Sequence, residues 1–458
     1  MADAPPPASR FLAAAWRALG GDEAWLDRVE IAGQGDLPSA FAVTDLAAAS
    51  IGAAALAVGE RVASAKSRPP KIVVDRRLAS LWFGFSLKPQ GWSLPPVWDP
   101  IAGDYPAADG WIRLHTNAPR HREAALAVLG CVGERNAVAP AVKGWRADEL
   151  EAAVVAKGGC AAAMRSLAAW ADHPQGRAVA AESLVISERR ELGGRHEGPV
   201  DPARPLAGVR VLDLTRILAG PVATRFLAGY GADVLRLDPP EWDEPGVAPE
   251  VTLGKRCARL DLKDTAGRER FLALLAEADV IVHGYRPGAL DALGLGDVER
   301  RGARPGLVDV SLDAYGWSGP WAGRRGFDSL VQMSAGVAEE GMRRFSKEKP
   351  TPLPVQALDH AAGYFLAAAA LRGLAERAAC GAGSSRRLSL ARVAALLASE
   401  RAEANAPFAS AGEADFAPEV ESTDWGPASR LKPPATVDGA PMLWAYPAGR
   451  LGTAPPAW

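Results

Sequence analysis

Apolar and polar positions change rhythm along the chain. Between Gly208 and about Leu312, short apolar runs alternate with segments at helical spacing. "VRVLDL", "ADVLRLD", "CARLDLK", "DVIVHG" and "GLVDVSL" read as buried strands. "ILAGPVATRFLAGYG" and "TAGRERFLALLAEA" read as helices, the second opening at Thr265 as N-cap. Strand, helix, strand in this order predicts parallel pairing through right-handed crossovers. The expected fold is α/β, a doubly wound, Rossmann-like parallel sheet in a large domain. Ligands of such sheets bind beyond the carboxyl ends of the strands.

The first two hundred residues have a different texture. "FAVTDLAAASIGAAALAVGER" predicts a helix, "KIVVDRRLASLWF" a strand running into a helix, and "DGWIRLHTN" a strand. Helical patterns follow at "HREAALAVLG", "RADELEAAVVAKGG" and "AAAMRSLAAWADHP", which gives a smaller α+β domain over 101–186. A charged, Gly- and Pro-rich stretch over 187–207 reads as a linker, and 208–400 as the large domain. Beyond it, 401–458 loses periodicity to Pro, Gly and Trp and reads as a tail on the surface. The chain also echoes itself. "TDLAAASIGAAALAVGER" at 44–61 resembles "LDHAAGYFLAAAALRGLAER" at 358–377, and each is followed by a strand–helix pattern, "VVDRRLAS" and "LSLARVAA".

Composition narrows the classes. The 458 residues, 48% of them hydrophobic, allow two or three domains with a large core. A formal net charge of -2 provides no electrostatic footprint for nucleic acid. The four cysteines are scattered, without CxxC or Cys/His spacing, so neither a disulfide framework nor a metal site is expected. "MADAPPPASRFLAAAWRALGG" lacks the pattern of a secretory signal. The alanine-rich stretches look too interrupted to span a membrane, so a cytoplasmic protein is expected. There is no G-x-G-x-x-G after a strand, no Walker A loop, no G-x-S-x-G and no H-E-x-x-H.

Four ordered blocks carry a resemblance. They are "PLAGVRVLDLTRILAGPVATRFLAGYGADVLRLDPP", "GKRCARLDLKDTAGRERFLALLAEADVIVHGYRPGALDALGL", "GLVDVSLDAYGWSGPWAGRRGFDSLVQMSAGVA" and "QALDHAAGYFLAAAALRGLAER". Together they resemble the class III coenzyme A-transferases, the formyl-CoA and carnitine CoA-transferase family, over about 205–400. Residues 1–100 resemble second-half elements of that family's large domain, and 101–186 its small domain. The order is thus rearranged, as in a fused duplication.

The resemblance implies chemistry. Asp359 falls where the family keeps its nucleophilic aspartate and Asp328 where a second acid lines the site. A carboxylate there attacks an acyl-CoA thioester, and the mixed anhydride then becomes an aspartyl-CoA thioester. Read from the residues alone, either aspartate is equally an N-cap. Coenzyme A contacts carry over onto Leu218 and Ala219, onto Leu260, Asp261, Leu262 and Lys263, onto Gly284, Tyr285 and Arg286, and onto Arg325 and Gly326. Lys263, Arg286 and Arg325 would meet phosphates and Tyr285 would stack on adenine. No tightly bound cofactor and no metal is implied; coenzyme A and its acyl thioester are substrates, with a carboxylate as partner. Family members are interlocked homodimers, which leaves a homodimer and an intramolecular pseudo-dimer both open.

Departures keep rivals in view. Pro239 and Ala292 stand where the family often has arginines, and Leu218 where it often has Gln. The only glycines resembling a covering loop are the short "GGC" at 158–160. Phe327 stands where the racemase branch has a histidine, and phenylalanine moves no protons. An acyl-CoA racemase, isomerase or hydratase, and a CoA-binding protein without turnover, remain the alternatives. Alanine-rich walls point to a non-polar acyl chain.

Overall fold

The computed structural model describes residues 5–66, 68–193, 198–402 and 406–458. It opens with α1 (Pro7–Ala18), β1 (Val29–Ala32), α2 (Val43–Ala63), β2 (Ile72–Asp75) and α3 (Arg76–Trp82). A short strand β3 (Leu87–Pro89) leads to the small domain. There β4 (Gly103–Pro106), β5 (Trp111–Leu114) and β6 (Ala161–Ala163) form an antiparallel sheet, and α4 (Pro119–Leu129) follows β5. Ile112 and Leu114 face the small domain's own core, so Trp111 and Arg113 point the other way, as the period of two requires.

The main sheet holds β7 (Ile186–Leu192), β8 (Arg210–Leu214), β9 (Asp233–Asp238), β10 (Lys255–Arg259), β11 (Val280–His283), β12 (Val308–Asp313) and β13 (Ala382–Ser389). Their order is β10-β9-β8-β11-β12-β13-β7, with every neighbour parallel except β13 and β7. Three helices border the carboxyl edge or run away from it: α5 (Ala219–Gly229) after β8, α6 (Asp328–Ser334), and α7 (Ala357–Cys380), which leads into β13 and then α8 (Leu390–Ala398). Because α7 feeds β13 at the amino edge of the sheet, its own start lies at the carboxyl edge.

The α/β expectation therefore holds, and several local expectations are corrected. The segment read as a linker begins with β7, an edge strand antiparallel to β13; its charges mark an exposed edge rather than a tether. Residues 194–197 of that segment lie outside the described residues. Asp264, not Thr265, caps the helix Thr265–Ala276, its carboxylate accepting from Gly267 N–H. The tail is also built in. It contributes β14 (Phe416–Thr423) and β15 (Gly426–Leu431), which pair with each other and, through β15, with β3. It also contributes β16 (Ala435–Val437), which pairs with β2. Its tryptophans anchor by their indole N–H groups, Trp444 to Arg225 O and Trp458 to Leu274 O, a mode of attachment that leaves no periodic pattern. Among the described residues one helix, α2, is long and apolar enough to cross a membrane, contrary to the sequence reading; here it is packed in the core.

The echo within the sequence is an echo in space. α2–β2–α3 and α7–β13–α8 are the same helix–strand–helix unit. In each, the strand pairs parallel with one neighbour (β1, β12) and antiparallel with the other (β16, β7). Both long helices start from the same tight inverse turn. Val43 N–H bonds Phe41 O at 2.8 Å and Ala357 N–H bonds Val355 O at 2.8 Å, with φ, ψ of -74°, 62° at Ala42 and -78°, 66° at Gln356. Alanine on nearly every face lets the two helices pack closely in a shared core.

A buried carboxylate ties the distant segments together. Glu250 accepts from Ser86 N–H and Oγ, at 2.9 and 2.7 Å, from Leu87 N–H, from Arg430 of β15 and from Arg225 of α5. Removing it strands the buried Arg225 guanidinium and leaves Arg430 with Glu421 alone. Glu250→Ala is therefore expected to lower the unfolding free energy by about 3–5 kcal/mol. Denaturant titration followed by tryptophan fluorescence checks this; a loss below about 1 kcal/mol would mean that the tail and the β3 segment are only loosely attached.

Candidate active site

Asp359 is the third residue of α7, not its cap; the N-cap position is Gln356, which makes no side-chain capping bond. The capping is done by another acid. Asp328, first residue of α6, projects its Oδ2 to the start of α7, where it accepts from Leu358 N–H at 2.9 Å and Asp359 N–H at 3.0 Å. Its other oxygen accepts from Gln332 Nε2. The orphan amides of a buried helix start are thus satisfied by a carboxylate. Asp328 serves as a cap, but for a helix remote in sequence and not for its own.

This leaves the Asp359 carboxyl without a job in the fold. No side chain or amide among the described residues donates to it, and the residue is 7% exposed. Burial, and then the charge of Asp328, push its pKa well above the carboxylate range. Asp328 is itself raised, to about 6, by burial, opposed by the Asp359, Gln332 and Leu358 donors. The two acids cannot both ionise cheaply. Asp328, with three donors, is the better stabilised as the carboxylate, and Asp359, with none, is the harder of the two to ionise.

Asp45 is the internal control. It is the third residue of α2, as Asp359 is of α7. Its carboxylate is paired with Arg76 at 3.0 Å, and Arg76 also binds Asp36 at 2.8 Å. Burial raises its pKa as well, against the pull of Arg76. A cavity of about 740 Å³ opens beside Asp45 and not beside Asp359. Its charges are spoken for, however: Arg76 by the two aspartates and Arg10 by Glu400. One unit has neutralised its acid and the other has left it bare.

The turn after β8 lies against the start of α7. A Cβ on Gly363, one helical turn beyond Asp359, would come within 2.5 Å of Ala219 O, so glycine is what allows α5 and α7 to approach. The turn is strained: Ile217 has φ 68°, a left-handed conformation that costs a β-branched residue about 1–2 kcal/mol. Glu244 holds it there by accepting Ile217 N–H at 2.8 Å. Strain of this kind accumulates at ligand-binding turns.

The other sequence-selected residues lie along the same carboxyl edge. Leu260, Asp261, Leu262 and Lys263 follow β10, Gly284, Tyr285 and Arg286 follow β11, and Arg325 and Gly326 close the loop from β12 to Asp328. From β10 to β11 is three strand spacings, roughly 14 Å at about 4.8 Å each. The 260–263 run is therefore the far end of the edge. Leu262 turns its side chain into the core, so only its backbone is available there. Lys263 is exposed, with Glu241 3.8 Å away. Gly326 packs so tightly on Ala314 and Tyr315 that a Cβ would overlap both. His360 stacks on Phe83 of the N-terminal unit, 5.2 Å between rings, and does not accompany Asp359.

Sequence reading missed four residues near this edge. Arg216 crosses the Tyr285 ring and reaches its hydroxyl at 3.3 Å. Arg120, from the small domain, joins Arg325 and Arg286 in a cationic group. Burial and their neighbours' charges lower the pKa values of Arg120 and Arg325. Arg325 also reaches Gly158 O at 3.5 Å, which brings the short "GGC" segment to the site. His115 and His121 flank Phe327, the residue before Asp328. Nothing in the linear pattern links 113–121 to 325–328; the "WIRLH" alternation, with polar residues on one face of a half-buried strand, was the available signal.

Residues 206–424 match the profile of CoA-transferase family III. Among curated proteins, the probable fatty acyl-CoA transferase Rv3272 of Mycobacterium tuberculosis is 36% identical over 191 residues, 39% of this chain and 48% of that protein. Succinyl-CoA:glutarate CoA-transferase of Mus musculus is 34% identical over 205 residues, 42% of this chain and 46% of that protein. The crystal structure of Rv3272 aligns at 32% identity with a TM-score of 0.38, covering 42% of this chain and 57% of that one. The chain thus spans about half the length of the curated relatives it matches. Through residues 206–424, just under half of its length, this chain is similar to CoA-transferase family III.

Proposed function

We propose that the protein transfers coenzyme A from an acyl-CoA thioester to a carboxylic acid, with Asp359 as the covalent acceptor. The observation that carries this reading is the Asp359 carboxyl, buried, undonated and held at a helix start by a second acid. A protein that only bound coenzyme A would have no use for a bare buried acid, which costs stability. Its twin, Asp45, is quenched by arginine.

The steps balance without any co-reactant. Once deprotonated, an Asp359 oxygen attacks the thioester carbonyl; the C–S bond breaks, leaving a mixed anhydride and coenzyme A thiolate. The thiolate attacks the Asp359 carbonyl carbon and expels the donor acid as its carboxylate, leaving aspartyl-CoA. The acceptor carboxylate then attacks aspartyl-CoA, forming a second anhydride and thiolate. Attack of that thiolate on the acceptor carbonyl releases the new acyl-CoA and restores Asp359. The N–H groups of Leu218 and Ala219, in the strained turn packed on the α7 start, are the nearby backbone donors for developing oxyanions. Burial keeps water from the anhydrides. The cationic group Arg120, Arg216, Arg286 and Arg325 suits the coenzyme phosphates.

Asp359→Asn should lower acyl-CoA turnover by at least about 10³-fold, as loss of a nucleophile does. It should also stabilise the fold by about 0.5–2 kcal/mol at neutral pH. The sign follows from linkage: folding raises the Asp359 pKa, so the folded state binds more protons and loses stability as pH rises above the unfolded carboxyl range. Asparagine removes that loss. Steady-state kinetics and thermal unfolding of the same preparation test both; a variant that is less active and also less stable would indicate a structural acid. The pH dependence offers a separate check. The ionised fraction of Asp359 grows with pH, so the single-turnover rate of acyl-enzyme formation should climb from pH 6 through neutrality. A stopped-flow profile that is flat or falling over that range would contradict the assigned protonation.

A further inference from the structure

The cavity of about 740 Å³ beside Asp45 belongs to the N-terminal unit, and the transfer chemistry at Asp359 makes no use of it. Its size falls among small-molecule sites, which run from roughly 300 to 1,000 Å³. Two kinds of surface line it. Leu12, Leu26, Ile31, Leu37 and Phe41 supply an apolar wall, drawn from α1, β1 and the segments on either side of β1. Asp36, Asp45 and Arg76 converge at its polar end.

Hydrogen bonds at that end are made, but charge is not balanced. A single nitrogen of Arg76, Nη2, serves both Asp36 at 2.8 Å and Asp45 at 3.0 Å. Asp36 also accepts Ala406 N–H at 3.2 Å, and Asp45 accepts Ala8 N–H from the start of α1. Those amides donate without bringing a charge. The other two arginines that line the cavity are engaged elsewhere. Arg10 is held by both oxygens of Glu400, and Arg401 lies over the Phe41 ring with Glu340 3.8 Å away. Exposed Asp27 adds a further carboxylate. Pairing with Arg76 thus removes Asp45 as a nucleophile, yet one guanidinium between two carboxylates leaves the polar end negative. Burial is the first cause that raises the Asp45 pKa, and the charge of Asp36 adds to it.

What the cavity lacks is a positive charge on an apolar body. A bare metal ion would leave the leucine wall uncovered and would need oxygen ligands beyond two carboxylates already engaged. An anion would meet the surplus of negative charge. We infer that this cavity binds an organic cation, a primary ammonium with a hydrocarbon body, its N–H groups on Asp36 and Asp45 and its chain along Leu12, Leu26 and Ile31. Ammonium donates to carboxylate in the strong, charge-assisted way, and the chain gains by leaving water. The N-terminal unit thereby has a ligand of its own, independent of the chemistry at Asp359.

Calorimetry on the full-length protein with simple probes tests this without any need for turnover. Butylamine, hexylamine and octylamine are each compared with the alcohol and the carboxylate of equal length. At least one amine should bind about tenfold or more tighter than both counterparts. Asp45→Asn and Asp36→Asn should each bring that preference to within about twofold. Ala13→Phe, which fills the cavity from α1 and replaces no charged group, should abolish amine binding. Asp359→Asn should leave amine binding unchanged, which separates this site from the other buried acid. Circular dichroism and thermal unfolding confirm the fold of each variant. No amine binding at millimolar concentration, or equal affinity for amine, alcohol and carboxylate, overturns the inference. So does amine binding that survives in folded Ala13→Phe or is lost in folded Asp359→Asn.

Discussion

The grip of the Asp328 carboxylate on the first amides of α7 is the interaction on which the rest depends. A buried helix start must find acceptors for its orphan N–H groups. Here one charged group supplies them, 2.9 and 3.0 Å away. Because that duty falls to Asp328, the acid at position 359 is spared. Because both acids are buried together, charge on one opposes charge on the other, and the one without donors is the harder to ionise. A cap, a coupled pair of acids and an oxygen without a donor are consequences of the same arrangement.

Placing that oxygen takes the whole fold. α7 is apolar on nearly every side, so α2, α5 and the sheet fix its position by close packing rather than by polar contacts. Gly363 lets α5 come in, which sets the strained 217–219 turn beside the acid. Phe83 takes up His360 and keeps it from the site. The N-terminal unit is thus a structural partner of the helix bearing Asp359. It repeats that helix's lead-in turn and its acid but not the parallel strands β8 to β11 around which a ligand edge is built. Asp45 is instead held in an ion pair with Arg76. Within one chain the two units pack against each other through α2 and α7.

Much of this was legible in the sequence. The alternation from 208 to 312 specifies parallel strands, since the strands are apolar on both faces and the crossovers are helical. The internal echo was visible as similarity between 44–61 and 358–377, and it aligned Asp45 with Asp359. Other features were not legible for physical reasons. β7 and the tail strands are short or charged edge strands, whose pairing depends on distant partners and leaves no periodic trace. That Asp328 caps a helix thirty residues on could not be told from local capping, because the same residue type at the same helical position serves either purpose. His115 and His121 come from another domain altogether; only the packing on Phe327 brings them beside the acids.

The direct test of the central claim is to find where the covalent intermediate forms. Cleavage after Arg325, Arg343, Lys347 and Arg372 puts Asp328 and Asp359 on different peptides. Protein incubated with an acyl-CoA and hydroxylamine, then digested and analysed by tandem mass spectrometry, should carry a hydroxamate at Asp359 and none at Asp328. A hydroxamate at Asp328, or none at either residue while transfer proceeds, would contradict the assignment of the bare acid as the group that attacks.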